Sequence, residues 1–430
     1  MRAFSFGHFL ITAMLSGICV AGATAQPAAA QANPDPTGSS DTDTTRMSSD
    51  NPASKVVLSN PIGDQHNMVD RLVTFRGKDW AAGTAKNLVP AGGDGSGLML
   101  NPENTGFPAR GSWASPEVTA EYPFTEVLPS WNIDAPENTG LTFEVRVKDS
   151  STGEWSPYLY MGHWGSTLHS PDRTIEFDGG QVHNDILQLD RPASAFQIQA
   201  RLYSYDLKDH KSPSLRRLSA VYTGRIEDAA QYEKMRRKAS PGTQWARSLE
   251  VPFTPQGDNP KEISGSTCSP TSTNMVLGFR GIQEDLTTTA LGIYDEEYGI
   301  FGTWNRSVAY ASSKGLNGYL TRMRTWDDVR EQISLGNPVI ASIRFRAGEF
   351  PSNVLKSTGG HLVVIRGMTK DGDPIMNDPA SREKGKGVVY KADELGHAWF
   401  DKGGVAYIIL PKDGGKEPAQ NDMKGQVAGN

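Results

Sequence analysis

Two cysteines occur in the chain, Cys19 and Cys268, and only the second sits where a thiol can do chemistry. It lies in Gly265-Ser-Thr-Cys-Ser-Pro-Thr-Ser272. With Pro270 in a first turn and apolar Met275, Val276 and Phe279 on one side, the spacing predicts a helix over 270–279. A thiol at the mouth of that helix faces unpaired backbone N–H groups and the positive end of the dipole, and both favour the thiolate. The thiolate is the nucleophile, whereas an ordinary thiol with a pKa of ~8.5 is scarcely ionised at neutral pH. The competing reading is a small buried hydrophobe.

A thiolate nucleophile needs an imidazole. His361 follows Thr358-Gly-Gly360 and opens the apolar run Leu-Val-Val-Ile, so glycines leave room around it. His397, in Glu394-Leu-Gly-His-Ala-Trp399, reads as a surface residue of a short helix. His163, His169 and His183 show no metal-ligand spacing, and neither a metal nor a cofactor is expected. The imidazole in turn needs a partner that fixes its tautomer, and Asp378 in Asn377-Asp-Pro-Ala380 is the candidate. Asp-Pro also opens turns, which is its plain reading. Simple hairpin pairing about Asp371-Gly372 places Asp378 opposite Val364 or Ile365, three or four residues from His361. A bulge or an uneven loop must close that gap.

The elements that carry these residues form an α+β pattern. Thr325-Trp-Asp-Asp328 is a capping box with Asp in place of Glu or Gln, and Trp326, Val329 and Ile333 follow at helical spacing. Asn337-Pro338 ends that helix, and strands are expected at Val339–Phe345, His361–Met368, Pro374–Asn377 and Ala406–Leu410.

Upstream, residues 56–225 read as an antiparallel β-sandwich. Leu141–Val147 and Ala195–Leu202 alternate apolar with polar between turns rich in Pro, Gly, Asn and Asp. Trp80, Trp113, Trp131, Trp155 and Trp164 lie in this stretch. They are read first as core, with a glycan or cell-surface ligand on the sandwich as the second reading. Residues 226–248 are charged and helix-prone up to Pro241-Gly242, an interdomain connector between cores expected to fold independently.

The ends read differently. Arg2, an apolar stretch from Phe9 to Ala21 and Ala23-Thr-Ala25 form a secretory signal over 1–25, cut after Ala25. The stretch falls short of the ~20 residues of a membrane span, and nothing later is apolar enough to cross. Ile18 before Cys19 speaks against a lipid anchor. The exported form, secreted or in the cell envelope, then keeps a single thiol and no internal disulfide. Residues 26–55 lack aromatics and read as a disordered linker, and 413–430 as a disordered tail.

At 430 residues, with 37% apolar residues and 45 glycines, the chain has room for two or three domains, which excludes a peptide hormone or small disulfide scaffold. Its formal charge of −6, without a Lys/Arg block, argues against a nucleic-acid partner.

Over residues 249–412 the sequence resembles papain-like cysteine peptidases related to the bacteriocin-processing (double-glycine) peptidases. The resemblance rests on Val251-Pro-Phe…Gln256, Cys268-Ser-Pro-Thr-Ser272, Trp326-Asp-Asp-Val-Arg…Gly336-Asn-Pro-Val-Ile340, Gly360-His-Leu-Val-Val-Ile-Arg-Gly367 and Asn377-Asp-Pro-Ala380, in that order. It implies Cys268 as nucleophile, His361 as general base and then acid, Asp378 as the group orienting His361, and Gln256 as an oxyanion-hole amide beside the Cys268 N–H. Ser269 stands where such peptidases usually have Gly, which raises the question of crowding at the nucleophile. The upstream β-domain is similar to domains ahead of such peptidases in exported bacterial proteins. The expected activity is amide hydrolysis through an acyl-enzyme on peptide, protein or cell-wall peptide. The competing expectation is a cell-surface binding protein with an inactive peptidase-like domain and a ligand on its sandwich.

Overall fold

The computed structural model describes residues 65–92, 96–103, 109–166, 174–206, 209 and 211–418. The signal segment, the 26–55 linker and His169 lie outside them. The described chain is mostly β, with a β-rich N-terminal domain and a C-terminal domain of helices and antiparallel sheet.

The N-terminal domain contains β1 (Met68–Arg76), β2 (Thr84–Lys86), β3 (Leu88–Ala91), β4 (Gly97–Leu100), β5 (Ala109–Ala114), β6 (Val118–Asp134), β7 (Thr139–Asp149), β8 (Leu159–Gly165), β9 (Thr174–Phe177), β10 (Gly180–His183), β11 (Ile186–Ser204) and β12 (Ser214–Arg225). The longest strands change partners along their length. β11 pairs with β6 from Leu187 to Phe196 through register shifts around Ala193, then with β5 from Gln199, and with β7 from Ala193 onward. Such irregularities bend a strand. The alternation read at 141–147 buries Leu141, Phe143, Val145 and Val147 and leaves Glu144 and Arg146 partly exposed. Trp80, Trp113 and Trp131 are buried, and Trp131 stacks on Phe143 at 3.9 Å. Trp155 and Trp164 are half-buried beneath Arg146 and Arg306. These tryptophans fill the interior or lie under cations.

After α1 (Ala229–Met235), the C-terminal domain runs α2 (Cys268–Phe279), α3 (Leu286–Ile293), α4 (Trp304–Ser313), β13 (Asn317–Arg322), α5 (Trp326–Leu335), β14 (Val339–Phe345), β15 (Thr358–Met368), β16 (Pro374–Asn377), β17 (Lys386–Val389), α6 (Ala392–Trp399) and β18 (Val405–Leu410). The sheet order is β13-β18-β14-β15-β16-β17, with antiparallel pairing throughout. α5 opens with the expected capping box. The Thr325 hydroxyl accepts the Asp328 N–H, and the Asp328 carboxylate accepts the Thr325 N–H at 3.0 Å. It closes on Gly336 at φ 85°, the left-handed C-terminal position that glycine occupies without steric cost.

The connector does not separate two independent bodies. The described residues pack as one compact unit, and Leu128 and Val221 of the N-terminal domain are buried in the core of the C-terminal one. Polar side chains finish the seam. The Ser130 hydroxyl accepts the Leu320 N–H at 3.0 Å, the Asn132 amide bonds both backbone groups of Gly318, and the Ser312 hydroxyl bonds both backbone groups of Ile133. Residues 413–418, expected as the start of a disordered tail, are instead held across the same seam by side-chain and backbone partners. The Glu417 carboxylate accepts from buried Arg217 at 3.0 and 3.1 Å, and the Lys416 carbonyl accepts from Asn337 at 2.9 Å.

Candidate active site

Cys268 is the first residue of α2, which begins two residues before the helix expected over 270–279. α2 lies against β15, where the Ser272 hydroxyl donates to the Leu362 carbonyl at 2.9 Å. That bond fixes the helix mouth beside His361. Ser269 does not crowd the thiol. Its side chain is fully buried and its hydroxyl contacts those of Ser307 in α4 (3.0 Å) and Tyr407 in β18 (3.1 Å).

Asp378 reaches His361 by two successive register changes. The connection between β15 and β16 holds five residues, Thr369 to Asp373, with Met368 opposite Pro374. That register alone would carry Asp378 opposite Val364, on the face away from His361, because facing residues share a side and side chains alternate. A bulge at Arg366 moves the register once more, pairing Ile365 with Met376 and Val364 with Asn377. Continued by one residue, Asp378 falls opposite Val363, on the His361 face. The entering chain satisfies the bulge, since the Leu249 N–H donates to the Arg366 carbonyl and the Met368 N–H to the Arg247 carbonyl. Gly367 permits the approach, because a Cβ there would lie 2.2 Å from the Arg247 oxygen.

The resulting triad is closed to water at its inner end. His361 is 3% and Asp378 0% exposed. His361 Nε2–H donates to Asp378 Oδ1 at 2.8 Å, which leaves Nδ1 for the Cys268 thiol, its other hydrogen-bond partner. The Ala380 N–H also donates to Oδ1 at 2.9 Å, and the Tyr390 hydroxyl donates to Oδ2 at 2.6 Å. Both carboxylate oxygens are therefore held, as a buried charge requires.

The electrostatics follow. Burial pushes the Cys268 thiol up, but the hydrogen bond and charge of His361, with the Leu362 and Ser269 N–H groups, hold it below its ordinary value. Burial alone would lower His361. The Asp378 carboxylate and the Cys268 thiol outweigh it and push the imidazole up to about 10. Asp378 is held below the usual carboxylate range, because His361, Tyr390 and the Ala380 N–H outweigh its burial. These directions favour the charged forms, a thiolate, an imidazolium and a carboxylate in a row.

Residues 248–407 match the family described as Peptidase_C39 like family, and residues 72–223 match the Peptidase C39 N-terminal domain. The C-terminal domain is similar to the C39 peptidases. Among solved structures, a double-glycine-motif protease from an AMS/PCAT transporter, in complex with its leader peptide, is 18% identical, covering 40% of this chain and 99% of that one with a TM-score of 0.28. A C39-like peptidase from Bacillus anthracis is 16% identical, covering 40% and 97% with a TM-score of 0.29. A family 32 carbohydrate-binding module from C. perfringens NanJ is 10% identical, covering 35% and 99% with a TM-score of 0.15. No curated protein matches the sequence.

Within the C39-like domain, Gln256 is placed beside the triad with its amide turned aside. Its backbone N–H donates to the Pro379 carbonyl at 2.9 Å, and the Asn377 amide donates to the Val251 and Pro252 carbonyls, so the Pro-rich segment is tied to the residues flanking Asp378. The Gln256 side-chain amide donates to the Ser264 carbonyl at 2.9 Å, and its Oε1 is buried without a partner. One Nε2 hydrogen remains for an oxyanion. His397 pairs only with exposed Asp401, and the described residues hold no cluster of three or more metal-ligating side chains. Tyr390 escapes sequence reasoning, because a tyrosine after Val388-Val389 is an ordinary strand residue until the fold sets it against Asp378.

Proposed function

We propose that the chain is an exported cysteine peptidase with a papain-like domain, hydrolysing peptide or cell-wall peptide amide bonds through Cys268, His361 and Asp378. The observation that carries this reading is the buried imidazole held between a thiol at a helix mouth and a carboxylate satisfied on both oxygens. The Cys268 thiolate attacks the scissile carbonyl carbon, and the oxyanion forms beside the Cys268 backbone N–H, with the Gln256 amide as the second donor after a side-chain turn. His361 gives its Nδ1 proton to the leaving amine, which departs and leaves a thioester. His361 then takes a proton from water, whose oxygen attacks the thioester, and the acid product leaves with the thiolate restored. Asp378 keeps the ring in the tautomer that presents Nδ1 throughout.

The test is hydrolysis of casein and of peptidoglycan-derived peptides by the purified chain. Cys268→Ala and His361→Ala are each expected to lower turnover at least ~1,000-fold with circular dichroism unchanged. Unchanged turnover in Cys268→Ala contradicts the proposal. A folded wild type that cleaves nothing and resists thiol traps supports the binding-protein reading.

A further inference from the structure

At the seam between the domains, away from the triad, lies a cavity of about 420 Å³, within the ~300–1,000 Å³ of small-molecule sites, which favour domain interfaces. Most of its wall comes from Met68 to Leu72 of β1, residues from Tyr232 to Ser240 in and after α1, and Tyr319 to Gln332 from β13 into α5, with Val221 of β12 and Pro418 completing it. Met68, Val69, Val221 and Tyr319 are buried and give it an apolar floor. None of Cys268, His361 and Asp378 lines it.

Its charge runs against that of the protein. Seven basic side chains line it against three carboxylates, Asp70, Asp328 and Glu331, and Arg71, Arg236 and Arg322 pair with Glu121, Glu233 and Glu126 outside the lining, which leaves an excess of one positive charge in a chain of net charge −6. The carboxylates are already committed: Asp70 receives Arg324 at 2.6 and 2.9 Å, while Asp328 and Glu331 receive Arg237. Exposed Lys234 and Lys238 have no carboxylate partner among the described residues. Arg322 is deeper, its side chain 4% exposed. It donates to the Gly403 carbonyl and to Glu126, yet its Nε is buried without a hydrogen-bond acceptor. An Asp70 carboxylate oxygen lies 4.0 Å from it, beyond hydrogen-bond distance. A buried donor lacking an acceptor is costly, and the residue that carries it lines a volume large enough to hold one.

We propose that this cavity binds a small organic anion, its phosphate or carboxylate group held by Arg322, Lys234 and Lys238 and its apolar part against Met68, Val69 and Val221. Because both domains wall the site, the ligand stabilises their docked arrangement. The inference does not depend on the peptidase reading.

The test uses the full chain with phenyl phosphate and phenylacetate as probes and benzyl alcohol as the uncharged control. Binding is followed by calorimetry and thermal unfolding at low and high salt. At least one anion is expected to bind and raise Tm by about 3 °C at saturation. Benzyl alcohol should leave Tm unchanged, and added salt should weaken anion binding. Tighter binding of one anion identifies phosphate or carboxylate as the group recognised. A Lys234→Gln/Lys238→Gln double variant, altering two exposed side chains, is expected to bind roughly tenfold more weakly while keeping its unliganded Tm. Failure of both anions to bind, binding equal to that of benzyl alcohol, or undiminished affinity in the double variant overturns the proposal.

Discussion

At the residue scale, the proposed triad depends on a carboxylate that a phenol and a backbone N–H keep ionised in a dry site. Tyr390→Phe removes the donor to Asp378 Oδ2 at almost constant shape. The expected cost is about 1–3 kcal/mol of stability from the unsatisfied oxygen, together with a fall in kcat that exceeds any change in KM, because His361 loses orientation while the substrate surface is untouched. Denaturant unfolding and steady-state kinetics check it, and unchanged kcat would make Tyr390 a packing residue alone. Cys268, His361 and Asp378 were legible in sequence because each sits in a flank with a chemical signature: a helix opening, a glycine pair and an Asp-Pro turn. Tyr390 carries no such flank, and the destination of the Ser269 side chain depends on Ser307 and Tyr407, far away in sequence.

At the element scale, the same few residues decide which face of the sheet carries Asp378. The hairpin arithmetic about Asp371-Gly372 exposed the gap to His361, and the bulge at Arg366 with the five-residue connection is its resolution. Inserting one glycine between Asn377 and Asp378 sets the glycine opposite Val363 and moves Asp378 opposite Leu362, facing away from His361. Loss of hydrolysis is expected, with the ring protons of His361 shifting to those of an imidazole without a carboxylate partner in NMR. Retained activity would show that Asp378 reaches His361 by another route. α5 was legible because its capping box and apolar spacing are local. α3 and α4 were not, since Leu286-Thr-Thr-Thr289 and Trp304-Asn-Arg-Ser307 combine modest helix formers with buried polar residues. Their helicity depends on packing against α2 and the N-terminal domain rather than on pattern.

At the scale of the whole molecule, the seam was the least legible feature, because Ser130, Asn132, Ser312 and Asp185 are residue types that sequence assigns to surfaces. Asp185, in the turn before β11, accepts the Trp304 N–H at the opening of α4, joining the N-terminal domain to the helix whose Ser307 holds Ser269. Burial pushes its carboxyl up to about 8 despite the Trp304 N–H, and Asp295 adds to the rise. A carboxyl raised in the folded state costs stability as pH climbs from its unfolded value near 3.8 through about 8. Asp185→Asn should therefore gain in Tm relative to wild type between pH 5 and pH 8, and a difference independent of pH would contradict that burial. The central claim, a thiolate sustained by His361, is tested most directly in the intact chain by the rate of Cys268 alkylation with iodoacetamide against pH. A rate that stays high at pH 6 in wild type and falls in His361→Ala is the predicted result, whereas a rate following an ordinary thiol of pKa ~8.5 in both proteins would contradict it.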